Sequence, residues 1–402
     1  APTASRTFTR GGLESSITTT PHKLLKNLRL HYSLQAEANS ISPDQGSKPC
    51  MYRGAGSPPR FSHKDMFNFC RNCFIRVGVP ESEAELVSDH LVMASLRGVD
   101  SHGVVRVPYY VDGIERGYLR PMSEIRVLRE GPSWALIDCG MGLGIVGAVR
   151  ALEMAVEKSL SAGVAVIGAV NLGHVGMLAY YTRMIADKGL IGIAMVNGVA
   201  EMAPWGGLDK VFGTNPISMG IPRRDAPPIL IDMATSAVAK FKIHLAAAQG
   251  QQLPEGVALD ATGRPTRDPV EALKGCLLPF GGYKGYALAL FIELMASPLI
   301  GAPRSVEVRD HPSQQGGLLI ASINPEIFGE RAQFLSRVEE VVKTVKSAKR
   351  VGGVDEILLP GEPEERVYRE RLEKGVPIDE NTIRRLKGLG ERLGVPFPEP
   401  LA

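Results

Sequence analysis

The sequence predicts an α/β fold, and two observations lead to this prediction. Between residues 135 and 196, short apolar segments of strand character alternate with longer segments that have helical spacing. The chain has 402 residues, of which 44% are hydrophobic, enough to bury one large core or two to three smaller ones. The C-terminal third returns to helical patterns, so we expect helices on both sides of the alternating region.

The first 60 residues differ in composition from the rest of the chain. They contain eight Arg and Lys but only three acidic residues, and they are rich in Ser and Thr. This composition is typical of an organelle transit peptide, but a disordered tail or a gene-model artefact would look the same. We therefore expect a cytoplasmic protein, or a mitochondrial one if this extension is a transit peptide.

Composition excludes several classes of function. The net charge of +3, with 22% charged residues, provides no electrostatic footprint for nucleic acid. No apolar run approaches the roughly 18 residues that a membrane span needs. Five cysteines form no disulfide framework and indicate a reducing compartment. The Cys70–Cys73 pair is interpreted as two half-buried thiols one helical turn apart rather than a redox or metal pair, because no second such pair completes a zinc site.

The elements are predicted from periodicity and capping residues. Ser62 and Asp65 can cap a first helix that runs to Val77, before Gly78 and Pro80 end it. The further predicted helices are 81–96, 107–117, 148–162, 178–188 and 332–346, and the predicted strands are 135–138, 164–170 and 190–196. Residues 205–236 are richer in strand character. In the helix 332–346, five apolar residues share one face: Phe334, Val338, Val341, Val342 and Val345.

A glycine pattern, Gly142-x-Gly144-x-x-Gly147, lies between a predicted strand and a predicted helix. This is the context of a Rossmann dinucleotide-binding turn. The next strand, however, is followed by Asn171-Leu-Gly-His174 and provides no acidic residue for a ribose. We favour a glycine-rich start of a helix, with a classical Rossmann reductase as the alternative.

A cluster of polar residues follows the second helix. His102, Arg106 and Tyr110 are spaced by four, so on one helix they would share a face, with Ser101 beside them. Arginine offers a two-pronged donor for a carboxylate, and the other three side chains can orient the remaining oxygens. The pattern predicts binding of a small carboxylate; a solvated helix face is the alternative.

Three other segments carry candidate functional residues. His174 follows a predicted strand, where ligands of α/β proteins usually bind, and its ordinary pKa suits proton transfer. Asp232 follows another apolar run, and Lys284 lies among glycines before an apolar helix, where it suits a phosphate or a ribose. Each could instead be structural.

Together these segments resemble the type-2 malate/L-lactate dehydrogenase family over roughly residues 61–398. The family also includes ureidoglycolate and sulfolactate dehydrogenases and piperideine-carboxylate reductases. Seven strings carry the resemblance, in this order: Ser101-His-Gly-Val-Val-Arg106-Val-Pro-Tyr-Tyr110; Asn171-Leu-Gly-His174-Val-Gly176; Ala203-Pro-Trp-Gly-Gly207; Gly213-Thr-Asn-Pro216; Asp232-Met-Ala-Thr-Ser236; Gly281-Gly-Tyr-Lys-Gly285; Pro360-Gly-Glu362.

The resemblance implies a fold, a set of roles and a partner. The fold is a non-Rossmann, mixed and largely antiparallel sheet that carries the cofactor, flanked by helical segments from both chain ends. His174 is implied as the acid/base, with Ser101, His102, Arg106 and Tyr110 holding the substrate. The implied binding positions for NAD or NADP are Asn197, Gly198, Asp232, Met233, Ala234 and Lys284. A homodimer is implied, without metal, nucleic acid or membrane.

The resemblance also implies a division of the chain. After the extension 1–60, residues 61–174 begin a substrate and dimer domain, 175–300 form the cofactor domain, and 301–402 return to the first domain. Two departures stand out: Gly198 and Val199 lack the hydroxyls usual in the family, and the stretch 302–317 is short.

We therefore predict an NAD(P)-dependent oxidoreductase that moves a hydride to or from a small 2-hydroxy or 2-oxo acid such as malate or lactate. The alternative is a catalytically altered relative that binds nucleotide as a sensor or scaffold.

Overall fold

A computed structural model describes residues 58–401. The predictions for the basic extension, apart from its last three residues, and for Cys50 lie outside the described residues. Within the described part, no helix is both long and apolar enough to cross a membrane.

The N-terminal helices form where the sequence predicts them. Strand β1 (Arg60–Phe61) leads into α1 (His63–Arg76), whose Ser62 hydroxyl accepts a hydrogen bond from the Asp65 N–H at 3.4 Å. Helix α2 (Glu81–Leu96) has the predicted bounds, and α3 (Val107–Glu115) is two residues shorter than predicted. Cys70 and Cys73 are free, fully buried thiols on α1, and burial raises both pKa values, which agrees with two structural thiols.

A seven-stranded sheet forms the centre of the molecule. Its strands, in spatial order, are β2 (Arg126–Gly131), β3 (Trp134–Gly142), β4 (Val164–Leu172), β10 (Leu318–Ile323), β5 (Ile191–Val196), β6 (Ile217–Ile221) and β7 (Ile229–Met233). Only the β3–β4 pairing is parallel; the other pairings are antiparallel. The predicted mixed, largely antiparallel α/β architecture is therefore confirmed.

Helices cover both faces of this sheet. Helix α4 (Gly144–Ala162) connects the parallel strands β3 and β4, and α5 (Ala179–Ala186) connects β4 to β5. Alternation along β10 places Ser322 against Ser159 of α4 and Leu319 against Ile292 of α8 (Tyr283–Ala296). Helices α4 and α8 therefore lie on opposite faces of the sheet. The candidate catalytic residue His174 comes just after the end of strand β4 of this sheet.

Smaller elements complete the region between β7 and β10. They are α6 (Lys240–Gln249), β8 (Ala258–Leu259), α7 (Pro269–Lys274) and β9 (Cys276–Leu277). Strands from before residue 174, from between 174 and 300, and from after residue 300 belong to the same sheet. The expected division into a substrate domain and a cofactor domain therefore remains a prediction.

The C-terminal segment packs back onto the N-terminal helices. It contains α9 (Arg331–Lys346), α10 (Glu362–Lys374), β11 (Val376–Pro377) and α11 (Glu380–Leu393). Strand β11 pairs with β1, α10 contacts α2, and α11 contacts α1 and α3. On α9 the helix is confirmed, but of its five apolar residues only Val342 is buried, and Val341 is 63% exposed. The apolar stripe of α9 does not build the core, because periodicity shows that residues share a face and not that a partner covers it.

Candidate active site

Residues 100–106 form two tight turns, and the helix begins after them at residue 107, where the sequence predicts it. Asp100–His102 and Val104–Arg106 are separate 3₁₀ turns, and Gly103 between them is extended. A Cβ on Gly103 would lie 2.1 Å from the Ser95 hydroxyl, so glycine permits this close approach to α2. The prediction that His102, Arg106 and Tyr110 share one helix face is therefore wrong, since only Tyr110 lies on α3.

The turns nevertheless bring the predicted substrate residues together. The Ser101 hydroxyl lies 2.8 Å from His102 Nδ1, and Arg106 Nε donates to the Ser101 carbonyl at 2.6 Å. Arg106 forms no ion pair with any residue in the range 58–401. Desolvation lowers its pKa from the ordinary value, and the nearby Tyr110, Tyr109 and Glu201 offset this cost only in part. The guanidinium is thus available to an anionic ligand.

His174, which follows β4, joins this cluster from a distant part of the chain. Its ring stacks on His102 with centroids 5.4 Å apart, and its Nδ1 lies 2.7 Å from the Tyr110 hydroxyl. The Gly176 N–H also donates to Nδ1, at 3.2 Å. Because an N–H can only donate, Nδ1 must be the acceptor, and the neutral ring carries its proton on Nε2. Tyr110 is buried, and the contact that its hydroxyl makes is with His174, the acid/base candidate.

The electrostatics of the cluster favour neutral histidines. Burial, followed by the Arg106 and His102 charges, holds the pKa of His174 well below its usual range. Burial and Arg106 lower the pKa of His102 to about 3. A neutral imidazole beside an unpaired guanidinium is an arrangement that can accept a proton and bind an anion at the same time.

The glycine pattern Gly142–Gly147 supports His174 by close packing. A Cβ on Gly144 would lie 1.9 Å from the Gly173 carbonyl oxygen and 2.7 Å from that of His174. A Cβ on Gly147 would lie 2.6 Å from the Cys139 sulfur. These glycines bring the start of α4 against the His174 segment, which agrees with the favoured interpretation of a glycine-rich helix start.

The short stretch 302–317 lies directly beside the site. The His174 N–H donates to the Ser313 carbonyl at 2.8 Å, and His311 links Ser313 to Asp112 of α3 at 2.8 and 2.9 Å. The sequence marks this stretch only through its length, so Ser313 and His311 were missed as supports of the site.

The predicted cofactor residues at the end of β7 are exposed and close to the His174 segment. Asp232 accepts a hydrogen bond from the Ala179 N–H at 2.9 Å, which ties β7 to the start of α5. Met233 is exposed and Ala234 partly so. The Thr235 carbonyl accepts from the Phe280 N–H at 3.0 Å, which places the turn that carries Lys284 alongside. Lys284 is exposed and has no ion pair within the described part of the chain.

Asn197, one of the implied cofactor-binding residues, contacts the 303–317 segment. Its side chain is fully buried, donates to the Pro303 carbonyl at 3.0 Å and accepts from the Gly317 N–H at 2.7 Å. Gly198 lies against the Gln315 side chain, 2.7 Å from where a Cβ would stand. The Asn197 side chain therefore binds the 303–317 segment. A cofactor at this position would have to contact the backbone instead.

Two supporting residues escaped the sequence analysis. Glu293 on α8 accepts from Asn215 Nδ2 at 2.8 Å and from the Ser305 N–H and hydroxyl at 2.7 and 2.6 Å, within the network of Asn197. The sign of this role in the sequence is that Glu293 is a single acidic residue in a largely apolar helix. Arg371 on α10 binds Asp100, next to Ser101, through two bonds of 2.5 and 3.1 Å. No local pattern marks that pair.

Known proteins share this sequence and architecture. The family model for malate/L-lactate dehydrogenase matches residues 61–387. The L-sulfolactate dehydrogenase of Methanocaldococcus jannaschii is 39% identical over 325 residues, 80% of this chain and 93% of that protein. The malate dehydrogenase of Pyrococcus horikoshii is 37% identical over 341 residues, 82% and 94% of the two chains.

The fold agrees with a solved structure of the same family. The solved structure of sulfolactate dehydrogenase from Methanocaldococcus jannaschii superposes with a TM-score of 0.79 at 36% identity, over 84% of this chain and 98% of that one. Sequence and structure thus match over the whole region that holds the His174 cluster. This chain belongs to the malate/L-lactate dehydrogenase family.

Proposed function

We propose that this protein transfers a hydride between a nicotinamide cofactor and C2 of a small 2-hydroxy or 2-oxo acid. One observation carries the proposal: an unpaired Arg106 and a neutral His174, from distant segments, meet in one cluster. The relatives described above are dehydrogenases of sulfolactate and of malate, two small acids with a hydroxyl at C2.

Arg106 binds the carboxylate of the substrate. Its Nε is already fixed on the Ser101 carbonyl, so the remaining N–H groups are oriented before the ligand arrives. Ser101 and His102 lie beside it and are placed to contact the oxygen at C2 or the carboxylate. The same preference extends to any small acid, so Arg106 defines the substrate class and not the individual substrate.

His174 moves the proton at the C2 oxygen. In oxidation, the Tyr110 hydroxyl passes its proton to Nδ1, the unprotonated nitrogen of the neutral ring, and takes the substrate hydroxyl proton in its place; in reduction, the protonated ring returns the proton by the same route. The carboxylate of a bound substrate offsets the Arg106 charge that lowers the pKa of His174. Binding of a 2-oxo acid therefore favours the protonated ring that reduction needs, while the free site keeps the ring neutral.

The chemistry of the exposed donors fits a dinucleotide. Lys284, a cation without a partner among the described residues, lies in the first turn of α8, where backbone N–H groups favour phosphate. Asp232, Met233 and Ala234 form an accessible strand end beside the His174 segment. When bound, the nicotinamide supplies or accepts the hydride. Both NAD and NADP fit this donor set.

We also propose a homodimer, because large apolar surfaces stay uncovered. One face of α8 packs on β5 and β10, while Leu290, Phe291 and Leu294 on the other face are exposed. Val164 and Val166 of β4 are exposed as well. A second copy of the chain would cover such a patch, which monomers rarely leave open. Light scattering should give twice the mass of one chain, and a monomer at micromolar concentration would contradict this part of the proposal.

A turnover panel tests the proposed activity. Pyruvate, oxaloacetate and a cyclic 2-imino acid are each assayed with NADH and with NADPH, and Arg106→Lys is run in parallel. The lysine keeps the charge but loses the fork, so KM should rise about 10- to 100-fold. Cofactor binding without turnover of any acid would instead favour a nucleotide-binding sensor, and normal KM in a folded Arg106→Lys would remove Arg106 from the site.

A further inference from the structure

Trp205 is an exposed aromatic residue that has no role in the chemistry described so far. It belongs to the string Ala203-Pro-Trp-Gly-Gly207, one of the seven that carry the resemblance, and 57% of its surface is exposed. Gly206 has a left-handed φ of +83°, and the Gly207 N–H donates to the Pro204 carbonyl at 2.9 Å. Trp205 is therefore the second residue of a tight turn whose third position requires glycine, and this turn carries the indole at the surface.

The chain just before this turn runs beside the segment that leads into α8. The Leu277 N–H donates to the Glu201 carbonyl at 3.0 Å, and the Ala203 N–H donates to the Leu277 carbonyl at 3.2 Å. This is the hydrogen-bond pattern of two parallel strands. Because the two segments run in the same direction, the residues that follow them, Trp205 and Gly282, come out at the same end.

The indole packs against Gly282, the residue that precedes α8. A Cβ on Gly282 would lie 3.1 Å from Cη2 and Cζ3 of Trp205 and 3.5 Å from its Cε3, so the six-membered ring covers this glycine. Tyr283, the next residue, is 63% exposed, and Lys284 after it is exposed as well. Two exposed aromatic side chains therefore lie at the turn that carries the proposed phosphate-binding cation.

A nicotinamide dinucleotide has both kinds of group that this surface can bind. Its phosphates are anions that suit Lys284, and its adenine and nicotinamide are planar rings that stack on aromatic side chains. Stacking of one base on an aromatic side chain strengthens binding by about 10-fold or more and needs no hydrogen bond. Oxidised nicotinamide is also a cation, which the face of an indole attracts.

We propose that Trp205 is a cofactor-binding residue, whose indole stacks on one ring of the dinucleotide while Lys284 binds its phosphate. The proposal deepens the proposed function and rests on it. Adenine and nicotinamide share the planar aromatic surface that an indole recognises, and the two mononucleotides that make up the cofactor distinguish them in the test.

Tryptophan fluorescence tests the contact directly, because the chain contains only two tryptophans. Trp134 begins β3, whereas the other end of that strand, at Gly142, contacts the His174 segment. In Trp134→Phe the emission comes from Trp205 alone, and in Trp205→Phe it comes from Trp134 alone. NAD⁺ is titrated into both variants, followed by AMP and by nicotinamide mononucleotide. None of these ligands absorbs where tryptophan emits, so quenching requires contact with the indole.

NAD⁺ should quench the emission of Trp134→Phe and leave that of Trp205→Phe unchanged. Quenching of Trp134→Phe by AMP would identify adenine as the stacked ring, and quenching by nicotinamide mononucleotide would identify nicotinamide. If NAD⁺ saturates Trp134→Phe in isothermal titration without quenching it, the indole does not touch the cofactor and the proposal is overturned.

The affinity for NADH tests whether the contact contributes to binding. Trp205→Leu keeps an apolar side chain on Gly282 but removes the aromatic face, so the Kd should rise about 10-fold in isothermal titration. Trp205→Tyr retains a ring and should stay close to wild type. Trp134→Leu, at the other exposed tryptophan, is the matched control and should not change the Kd.

The results separate this inference from the proposed function. An unchanged Kd in a folded Trp205→Leu would overturn the inference and leave the proposed function intact. Loss of the dimer in light scattering, with the Kd unchanged, would assign the indole to a subunit contact and would also overturn it. A wild-type protein that binds neither NADH nor NADPH would overturn the proposed function and this inference together.

Discussion

Two glycine-rich turns start helices in this protein, and the sequence makes both candidates for holding a phosphate. At the start of α4, the positions of Gly142, Gly144 and Gly147 are crowded: added Cβ atoms would lie 1.9 to 2.6 Å from neighbouring atoms. At the start of α8, a Cβ on Gly285 would lie 2.3 Å from the Phe280 carbonyl oxygen, but Gly281 has a left-handed φ of +57° and nothing nearer than 4.0 Å. The first turn is closed by packing at all three glycines, whereas the second is open at Gly281, beside the exposed Lys284.

The difference shows that glycine serves two opposite purposes in similar patterns. In the first turn it removes a side chain so that α4 can touch the backbone that carries His174. In the second, at Gly281, it permits a left-handed backbone just before the exposed Lys284 ammonium. We therefore expect changes near the first turn to affect catalysis, and changes near the second to affect cofactor binding.

His174→Ala should have the largest effect, on the side of the first turn. A positioned acid/base contributes about 10²–10⁴-fold, so kcat should fall by that order while the cofactor still binds. Steady-state kinetics and nicotinamide fluorescence measure the two quantities separately. His102→Ala is the comparison variant: if it loses kcat and His174→Ala does not, the two histidines have exchanged roles.

Lys284→Ala should weaken cofactor binding and leave kcat at saturation nearly unchanged. Loss of a charge-assisted contact to phosphate predicts about a 10- to 100-fold increase in Kd. Lys274→Ala, at an exposed lysine on α7, is the matched control. Isothermal titration with NADH and NADPH measures the change, and equal affinity in both variants would mean that the open turn is not the phosphate site.

Gly144→Ala tests the closed turn directly. The new methyl group would displace the backbone at Gly173 and His174, so kcat should fall about 10-fold and Tm should drop, because overpacking costs roughly 1–3 kcal/mol. Cofactor affinity should stay within a few-fold of wild type. A loss of affinity of about 100-fold in a folded variant would revive the Rossmann interpretation of this turn.

The smallest expected effect concerns the pH dependence of oxidation, which reports the environment of His174 most directly. The neutral ring is the base, and its pKa is depressed by burial and by Arg106, so kcat/KM should remain flat from pH 8 down to 6.5. Activity should decline only at lower pH, as the ring takes a proton. A midpoint at or above pH 6.5 would show that the ring is not held neutral by its surroundings.

Much of the secondary structure could be predicted from the sequence because it depends on local patterns. Helix α2 forms between the predicted residues, and α1 is capped by Ser62 as predicted. Strand β4 extends only two residues beyond the prediction. Hydrophobic periodicity and helix capping depend on residues that are close together along the chain, so the sequence alone is enough to detect them.

Predictions that depended on which surface a residue packs against were less accurate. The stripe on α9 has the spacing of a core face, yet only Val342 of its five apolar residues is buried. His102 and Arg106 have the spacing of one helix face, but Gly103 must approach Ser95 of α2 and the chain turns instead. In both places the local pattern is genuine, and the outcome depends on what lies opposite.

By itself, the sequence determined the α/β class, the main helices and strands, and the set of residues from which the His174 cluster is built. Only the tertiary structure decided their partners: Tyr110 and Gly176 on Nδ1 of His174, Arg371 on Asp100, and Glu293 in the Asn197 network. Three of these four pairings join residues more than 60 positions apart. Hydrogen bonds require groups within about 3 Å, and the packing of distant elements, rather than spacing along the chain, brings these atoms that close.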